Sequence, residues 1–223
     1  MNETGIIRFD RRHPSARTVG RLAHHLAKGG VAVFPTETQY ALSADATDDS
    51  GVTRVRVIKG RSQNQPFSVF FPDRLTLADW GISLPDWAEL LAEAFWPGPL
   101  TLILPARGRI LRRLGGDDHT VGVRVSPEPI VGRLCRRLGH PLIATSANPA
   151  GLLLSPTAEN RWLSGQAADC RLIWARPARF RRHAPSTVLD CSGRRAHLVR
   201  DGAIPVRIWR QALPVEHIEG EPV

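Results

Sequence analysis

The run Val31-Ala32-Val33-Phe34, followed by Pro35-Thr36-Glu37-Thr38, decides the fold. Four apolar residues, two of them β-branched, read as a short buried strand, and Pro35 ends it. Two hydroxyls and a carboxylate then sit at its carboxyl end. Just upstream, Val19, Leu22, Ala23 and Leu26 keep the i, i+3, i+4, i+7 spacing of an amphipathic helix over 14–28. Gly29-Gly30 stops that helix. A helix feeding a buried strand that ends in polar residues is the signature of an α/β sheet, whose ligands bind outside the carboxyl ends of strands.

The same pattern continues outward. Ser50 can cap a helix carrying Val52, Val55 and Ile58, and Ser68 to Phe71 reads as a strand. Trp87, Leu90, Leu91, Ala94 and Phe95 form a helical face stopped by Pro97-Gly98-Pro99. Strands follow at 100–104 and 121–125, then a helix through Ile130, Val131, Leu134, Cys135 and Leu138 up to Gly139, then a strand at 142–144. Further strands are expected at 171–174, 187–190, 197–200 and 206–209. Helices and strands alternate to about residue 145 and strands predominate after it. The expected fold is a twisted mixed sheet with helices on its faces, one domain over 1–211 with a loose N-terminal lead-in, and a polar tail at 212–223.

Composition narrows the class. The chain has 223 residues, of which 42% are hydrophobic, enough for the core of one large domain and too many for a disordered chain. No apolar run is long enough to span a membrane, and the first 17 residues hold no signal-peptide core. Cys135, Cys170 and Cys191 have no metal-ligand or redox spacing, so a reducing cytoplasm is the expected location. The net charge of +9 suits anionic partners such as nucleotides or RNA, or reflects a bias towards arginine, since only Lys28 and Lys59 are lysine. His24-His25 reads as a surface pair on the first helix.

Several clusters carry candidate chemistry. Thr36-Glu37-Thr38 can orient a small polar ligand or simply cap a turn. Lys59-Gly60-Arg61 places two cations of different geometry near one point, to hold a polyphosphate or to complement a helix C-terminus. Thr145-Ser146-Ala147-Asn148, with Gly151 and Ser155-Pro156-Thr157, offers small donors for a phosphate or a polar loop cap. Pro185-Ser186-Thr187 and Arg200 flank later strands. The chain has no P-loop, Rossmann, GxSxG or HExxH pattern.

Taken in order, FPTET, KGR, WPGPLT, VGVRV, ATSAN, SPT, PSTV and VRDGAI resemble the YrdC/TsaC family of threonylcarbamoyl-AMP synthases over about residues 20–205. The resemblance implies a twisted α/β sheet around a concave basic cavity. It implies synthesis of L-threonylcarbamoyl-adenylate and pyrophosphate from L-threonine, bicarbonate or CO2, and ATP, with Mg2+ accompanying ATP. The product would serve a tRNA-threonylcarbamoyl transferase complex that modifies tRNA beside the anticodon, with direct tRNA or RNA contact left open and no membrane partner.

Carried over residue by residue, Lys59 and Arg61 would face the nucleotide phosphates as the catalytic cations. Thr101, Ser146, Asn148, Ser155 and Arg200 would bind ATP. Thr38, Arg124, Ala144 and Ser186 would bind threonine, Arg124 through the carboxylate. No protein metal site is implied.

The chain departs from the family pattern at Ala41, at Phe70 (commonly a histidine), at Ala150 and at Asp201. It also carries a basic run with Arg179, Arg181 and Arg182 where a glycine is usual. These departures bear on the threonine pocket and on turnover. An RNA-binding or ribosome-maturation module, a catalytically weakened paralogue and the carbamoyl-adenylate chemistry of hydrogenase maturation are the alternatives.

Overall fold

A computed structural model describes residues 5–62, 65–108, 119–149 and 184–219, together with Leu114, Trp162 and the backbone of Leu172–Pro177. Its strands are β1 (Gly5–Phe9), β2 (Val31–Pro35), β3 (Tyr40–Ser43), β4 (Ser68–Phe71), β5 (Leu100–Pro105), β6 (Thr120–Val125), β7 (Leu142–Ser146), β8 (Leu172–Pro177), β9 (Thr187–Asp190) and β10 (His197–Arg200). Its α-helices, in chain order, are α1 (Ala16–Ala27), α2 (Asp49–Lys59), α3 (Asp86–Phe95), α4 (Pro129–Leu138) and α5 (Val206–Arg210). Among the described residues the strands form one sheet in the order β1-β8-β2-β3-β7-β4-β6-β5-β9-β10. It is mixed, with parallel pairs such as β4 with β6 and antiparallel pairs such as β3 with β7. The expected fold class is therefore observed.

Side chains alternate across this sheet with the two-residue period of a strand. Leu42, Val69, Val123, Leu102, Ile143 and Leu189 point to one face and join the larger core, which also holds Val52, Val55 and Ile58 of α2 and Ala88, Leu91 and Ala92 of α3. The opposite face is covered by α1 and α4, packed side by side. Val19, Leu22, Ala23 and Leu26 of α1 meet Ile130, Val131, Leu134 and Cys135 of α4 over Phe34, Ala41, Phe70 and Leu142. On that second face Thr101, Arg124, Ala144, Ser146 and Val188 instead line a cleft.

Several sequence expectations are corrected. The lead-in is a strand: β1 pairs in parallel with β8. Tyr40–Ser43, to which no element was assigned from sequence, is strand β3 and pairs with β2 and β7. Residues 206–209 are helical, not a strand; only Trp209 of that helix is buried, so the alternation of Val206 and Ile208 has no sheet face to serve. Helix α2 is capped two residues earlier than expected, by the Asp48 carboxylate accepting from Gly51 N. Residues 212–219, the first part of the segment read as a tail, run back onto β10, with a parallel bridge between Ala196 and Ile218 and stacking of His217 on Trp87. No helix among the described residues is long and apolar enough to cross a membrane.

His24 is exposed, but its neighbour His25 is fully buried, against the expectation of a surface pair. Its Nε2 lies 3.1 Å from Val31 O, so the ring joins the end of α1 to the start of β2. The ring takes up the space above Gly30, where a Cβ would overlap it. Gly30 is thus required by close approach. Gly30→Ala is expected to destabilise the fold by about 1–3 kcal/mol, the usual cost of overpacking. Denaturant unfolding checks this, and an unchanged midpoint would mean that the ring moves aside freely.

Candidate functional site

The cleft encloses about 180 Å3. Its floor is built from facing pairs on the exposed half of the sheet. Ala41 stands opposite Ser146, Ser68 opposite Ala144, Phe70 opposite Arg124, and Thr101 opposite Val188. Arg200 reaches the same face through an irregularity. Leu198 pairs with Leu189, but Arg200 pairs with Val188, so Val199 is an extra residue in β10. A bulge of this kind turns the following side chain to the other face. It moves Arg200 from the core side, where Leu198 lies, to the cleft side. Gly202 then passes so close to the backbone of Pro185–Thr187 that a Cβ there would meet it at 2.5 Å.

Eight of the eleven candidate residues line the cleft: Thr38, Arg61, Thr101, Arg124, Ala144, Ser146, Ser186 and Arg200. Ser155 falls outside the described residues, as do Ala150, Arg179, Arg181 and Arg182. Lys59 and Asn148 stand behind the cleft wall. The two readings of Thr36-Glu37-Thr38 divide between the two threonines. Thr36 organises the turn, with its Oγ1 donating to Gln39 O at 2.6 Å and accepting from the Thr38 and Gln39 amides. Thr38 Oγ1 instead accepts from Arg124 Nη2 at 2.8 Å.

Arg124 is not a bare cation awaiting a carboxylate. Its Nε and Nη2 donate to Glu37 Oε1 at 3.1 and 2.6 Å, and Ser126 Oγ donates to Glu37 Oε2 at 2.5 Å. Beside this pair Arg11 grips Glu128 with both Nε and Nη2. At the other end, Thr101 and Ser186 hydroxyls are 2.9 Å apart, and Arg200 donates to the Ser186 hydroxyl and carbonyl. Arg61 follows Gly60, whose φ of 64° ends α2 in a left-handed turn and swings the next residue towards the cleft. Its guanidinium lies over the Phe67 ring and donates to Pro66 O at 2.9 Å.

The two ends of the cleft therefore differ in charge. Lys59, Arg61 and Arg200 have no carboxylate partner among the described residues. Burial, and then neighbouring guanidinium groups, lowers the pKa of each: Arg61 acts on Lys59, Arg56 and Arg200 on Arg61, and Arg124 on Arg200. An end with unpaired, mutually repelling cations suits a polyanion. The Arg124 end carries two arginines balanced by two carboxylates and suits a zwitterion.

Lys59 departs most from expectation. It is 3% exposed, and its Nζ donates to Ser146 O at 2.8 Å, Asn148 O at 2.5 Å and Asn148 Oδ1 at 3.1 Å. All three ammonium protons go to the loop after β7, so the side chain braces that loop from behind. A neutral amine has only two N–H groups and cannot serve three acceptors. Glu37, Arg11, Ser126 and Glu128 back the Arg124 end of the cleft and were not among the site residues named from the sequence. Glu37 was quoted in its cluster without its partner. Arg11 and Glu128 are separated by 117 positions, which no local pattern joins.

Comparison with known proteins shows the family and the fold. The family model described as Sua5_yciO_yrdC, telomere recombination, matches residues 24–202. The threonylcarbamoyl-AMP synthase of Halorhodospira halophila is 38% identical over 133 residues, covering 59% of this chain and 69% of the relative. That of Chromobacterium violaceum is 34% identical over 192 residues, covering 82% of this chain and 94% of the relative. Among solved structures, Pyrococcus abyssi Sua5 complexed with L-threonine superimposes with a TM-score of 0.83 at 30% identity over 96% of this chain. This chain spans 61% of the length of that one.

Burial, and next Arg61, lowers the Lys59 pKa from 10.5 to about 7. Between those values the unfolded chain holds a proton that the native state has released, so stability rises with pH across that window and the cost of burying the ammonium is complete below it. Wild type should gain stability relative to Lys59→Met from pH 7 towards 10.5, by at most about 1.4 kcal/mol per pH unit. Urea unfolding of both proteins across that range is the check; parallel pH profiles would mean that Lys59 does not titrate there.

Proposed function

The chain belongs to the Sua5_yciO_yrdC family, and from that membership we propose that it is a threonylcarbamoyl-AMP synthase, a nucleotidyltransferase acting on ATP. The observation that carries the reading is the charge division of the cleft. An unpaired cationic end matches the triphosphate, and a charge-balanced, hydroxyl-bearing end matches an amino acid zwitterion. The relatives, named threonylcarbamoyl-AMP synthases, support the same reaction.

In this reading the threonine amine attacks the carbon of CO2 or bicarbonate. A C–N bond forms, and a proton is lost, or water leaves in the case of bicarbonate. An oxygen of the resulting carbamate then bonds to the α-phosphorus of ATP as the bond to the bridging oxygen breaks, and pyrophosphate leaves. The chain contributes placement and electrostatics. Arg61 and Arg200 hold phosphate oxygens, where the guanidinium fork suits bidentate contact. Thr101 and the Ser146–Asn148 loop border the nucleotide, and Lys59 keeps that loop in place from behind. Thr38 and Arg124 orient the amino acid, whose carboxylate shares Arg124 with Glu37; Ser186, expected on the threonine side, is held by Arg200 at the other end.

Mg2+ enters this reaction on ATP, as part of the substrate. Among the described residues no carboxylate adjoins the three unpaired cations, and Glu37 is committed to Arg124 and Ser126. The donor set thus suits a metal carried in on phosphates rather than one held by side chains. Delivery of the adenylate to a tRNA-modifying transferase in the cytoplasm belongs to the same proposal. The likeness to synthases does not favour the RNA-binding alternative.

Purified protein given ATP, L-threonine and bicarbonate should release pyrophosphate and form the adenylate; release at the same rate without threonine would sink the assignment. Arg61→Ala should lower kcat/KM for ATP about 10- to 150-fold, the equivalent of losing a charged hydrogen bond worth roughly 1.5–3 kcal/mol.

A further inference from the structure

The family match begins at residue 24, yet one side chain upstream of it joins the charged cluster that backs the Arg124 end of the cleft. Arg11 precedes α1, in the segment that leads from β1 to the Ser15 cap. Its Nε is 2.8 and 3.0 Å from the two oxygens of Glu128, its Nη2 is 2.7 Å from Oε2, and the same Nη2 lies 3.3 Å from Thr36 O. Glu128 is only 5% exposed, so without Arg11 its charge would be buried with no cation in contact with it among the described residues.

The contacts continue inward. Ser126 Oγ accepts from Glu128 N at 3.2 Å and donates to Glu37 Oε2, and Glu37 holds Arg124. Arg11 and Glu37 also attract each other through space. Two guanidinium groups and two carboxylates thus form one balanced cluster, and only Arg124 of the four lines the cleft.

We propose that Arg11 is a positioning residue for the amino-acid end of the cleft: through Glu128, Ser126 and Glu37 it fixes Arg124, and it cancels the carboxylate charge that would repel the carboxylate of an incoming amino acid. This rests on the reading of that end as the threonine site. Losing Arg11 leaves two carboxylates facing one cation, so the effect falls on the amino acid. The nucleotide lies at the end occupied by Arg61 and Arg200 and is largely spared. The cluster also gives the N-terminal segment a task in substrate binding, in addition to its pairing with β8.

The test is steady-state kinetics of the full chain with ATP and L-threonine varied separately, alongside thermal unfolding. Arg11→Ala should raise the KM for threonine about five- to tenfold, leaving the KM for ATP and kcat within about twofold. Arg11→Lys, which keeps the charge but loses the two-pronged grip, should fall between the two. Arg11→Ala with Glu128→Gln, which restores the charge balance, should recover most of the loss. Where Arg11→Ala does not fold, Arg11→Lys and the double variant carry the test. An unchanged threonine KM in folded variants overturns the proposal. So does a common change in both KM values that follows the loss of thermal stability, and so does a double variant no better than Arg11→Ala. Absence of threonine-dependent turnover in the wild type would instead overturn the synthase reading itself.

Discussion

The cleft depends on one short strand that has antiparallel neighbours on both sides. β7 pairs with β3 through Ala41 and Leu42, and with β4 through Ser68, Val69 and Phe70. It thereby joins the part of the sheet bearing β1, β8, β2 and β3 to the part bearing β4, β6, β5, β9 and β10. Its alternation puts Ala144 and Ser146 on the cleft face and Ile143 in the larger core. A one-residue slip would exchange those faces and bury Ser146. The register is held by Ile143, by its amide bond to Ala44 O at 2.9 Å and by the Ser43 hydroxyl on its carbonyl. The end of β7 and the loop that follows then present three oxygens to Lys59, one from Ser146 and two from Asn148. Burying an ammonium is costly unless its donors are met, so the geometry of β7 and the position of α2 constrain each other.

This interdependence explains what could be read from sequence. The apolar runs and the helical spacing of α1, α3 and α4 are local, and they placed most strands and the polar clusters that end them. The cleft face was also implicit, because Thr101, Arg124, Ala144 and Ser146 each alternate with core residues along their strands. What failed was either non-local or a single-residue insertion. β1 shows only Ile6, Ile7 and Phe9 as apolar signal, and its partner β8 lies more than 160 positions away in sequence. The bulge at Val199, which decides the face of Arg200, leaves no mark in a four-residue strand. His25 was placed on the surface because it is polar, yet it lies on the stripe defined by Leu22 and Leu26, and the missing side chain of Gly30 makes room for it.

The resemblance to a known family named residues that the structure brings together, but it did not supply their electrostatic setting. Lys59 and Arg61 are two positions apart and were both read as cations facing the nucleotide phosphates. They are separated by the left-handed turn at Gly60, which puts one behind the loop and the other on the wall. One braces and the other is available for a ligand. Similarly, Arg124 was read as an open cation, whereas the structure gives it a carboxylate partner from its own Thr36-Glu37-Thr38 cluster. Phe70, opposite it in register, sits 5.8 Å from the guanidinium and is 2% exposed, so an aromatic ring rather than a titratable side chain supports Arg124 from below.

The charge pattern of the cleft follows from these placements. Arg61 and Arg200 have no carboxylate partner among the described residues, and their mutual repulsion raises the free energy of the empty protein at the end where the triphosphate is proposed to bind. A polyanion arriving there relieves the repulsion, so part of its binding free energy comes from a strain already present in the fold. The opposite end gains little from the same device. A zwitterion brings no net charge, and an unpaired arginine there would hold the carboxylate while repelling the amine that has to react. Pairing Arg124 with Glu37 removes that conflict: the arginine keeps its geometry for the carboxylate, and the glutamate offsets the field at the amine. The second pair, Arg11 with Glu128, keeps the balance from tipping negative. The two ends need opposite electrostatic solutions, and in a chain with an excess of cations it is the few buried carboxylates that distinguish one end from the other.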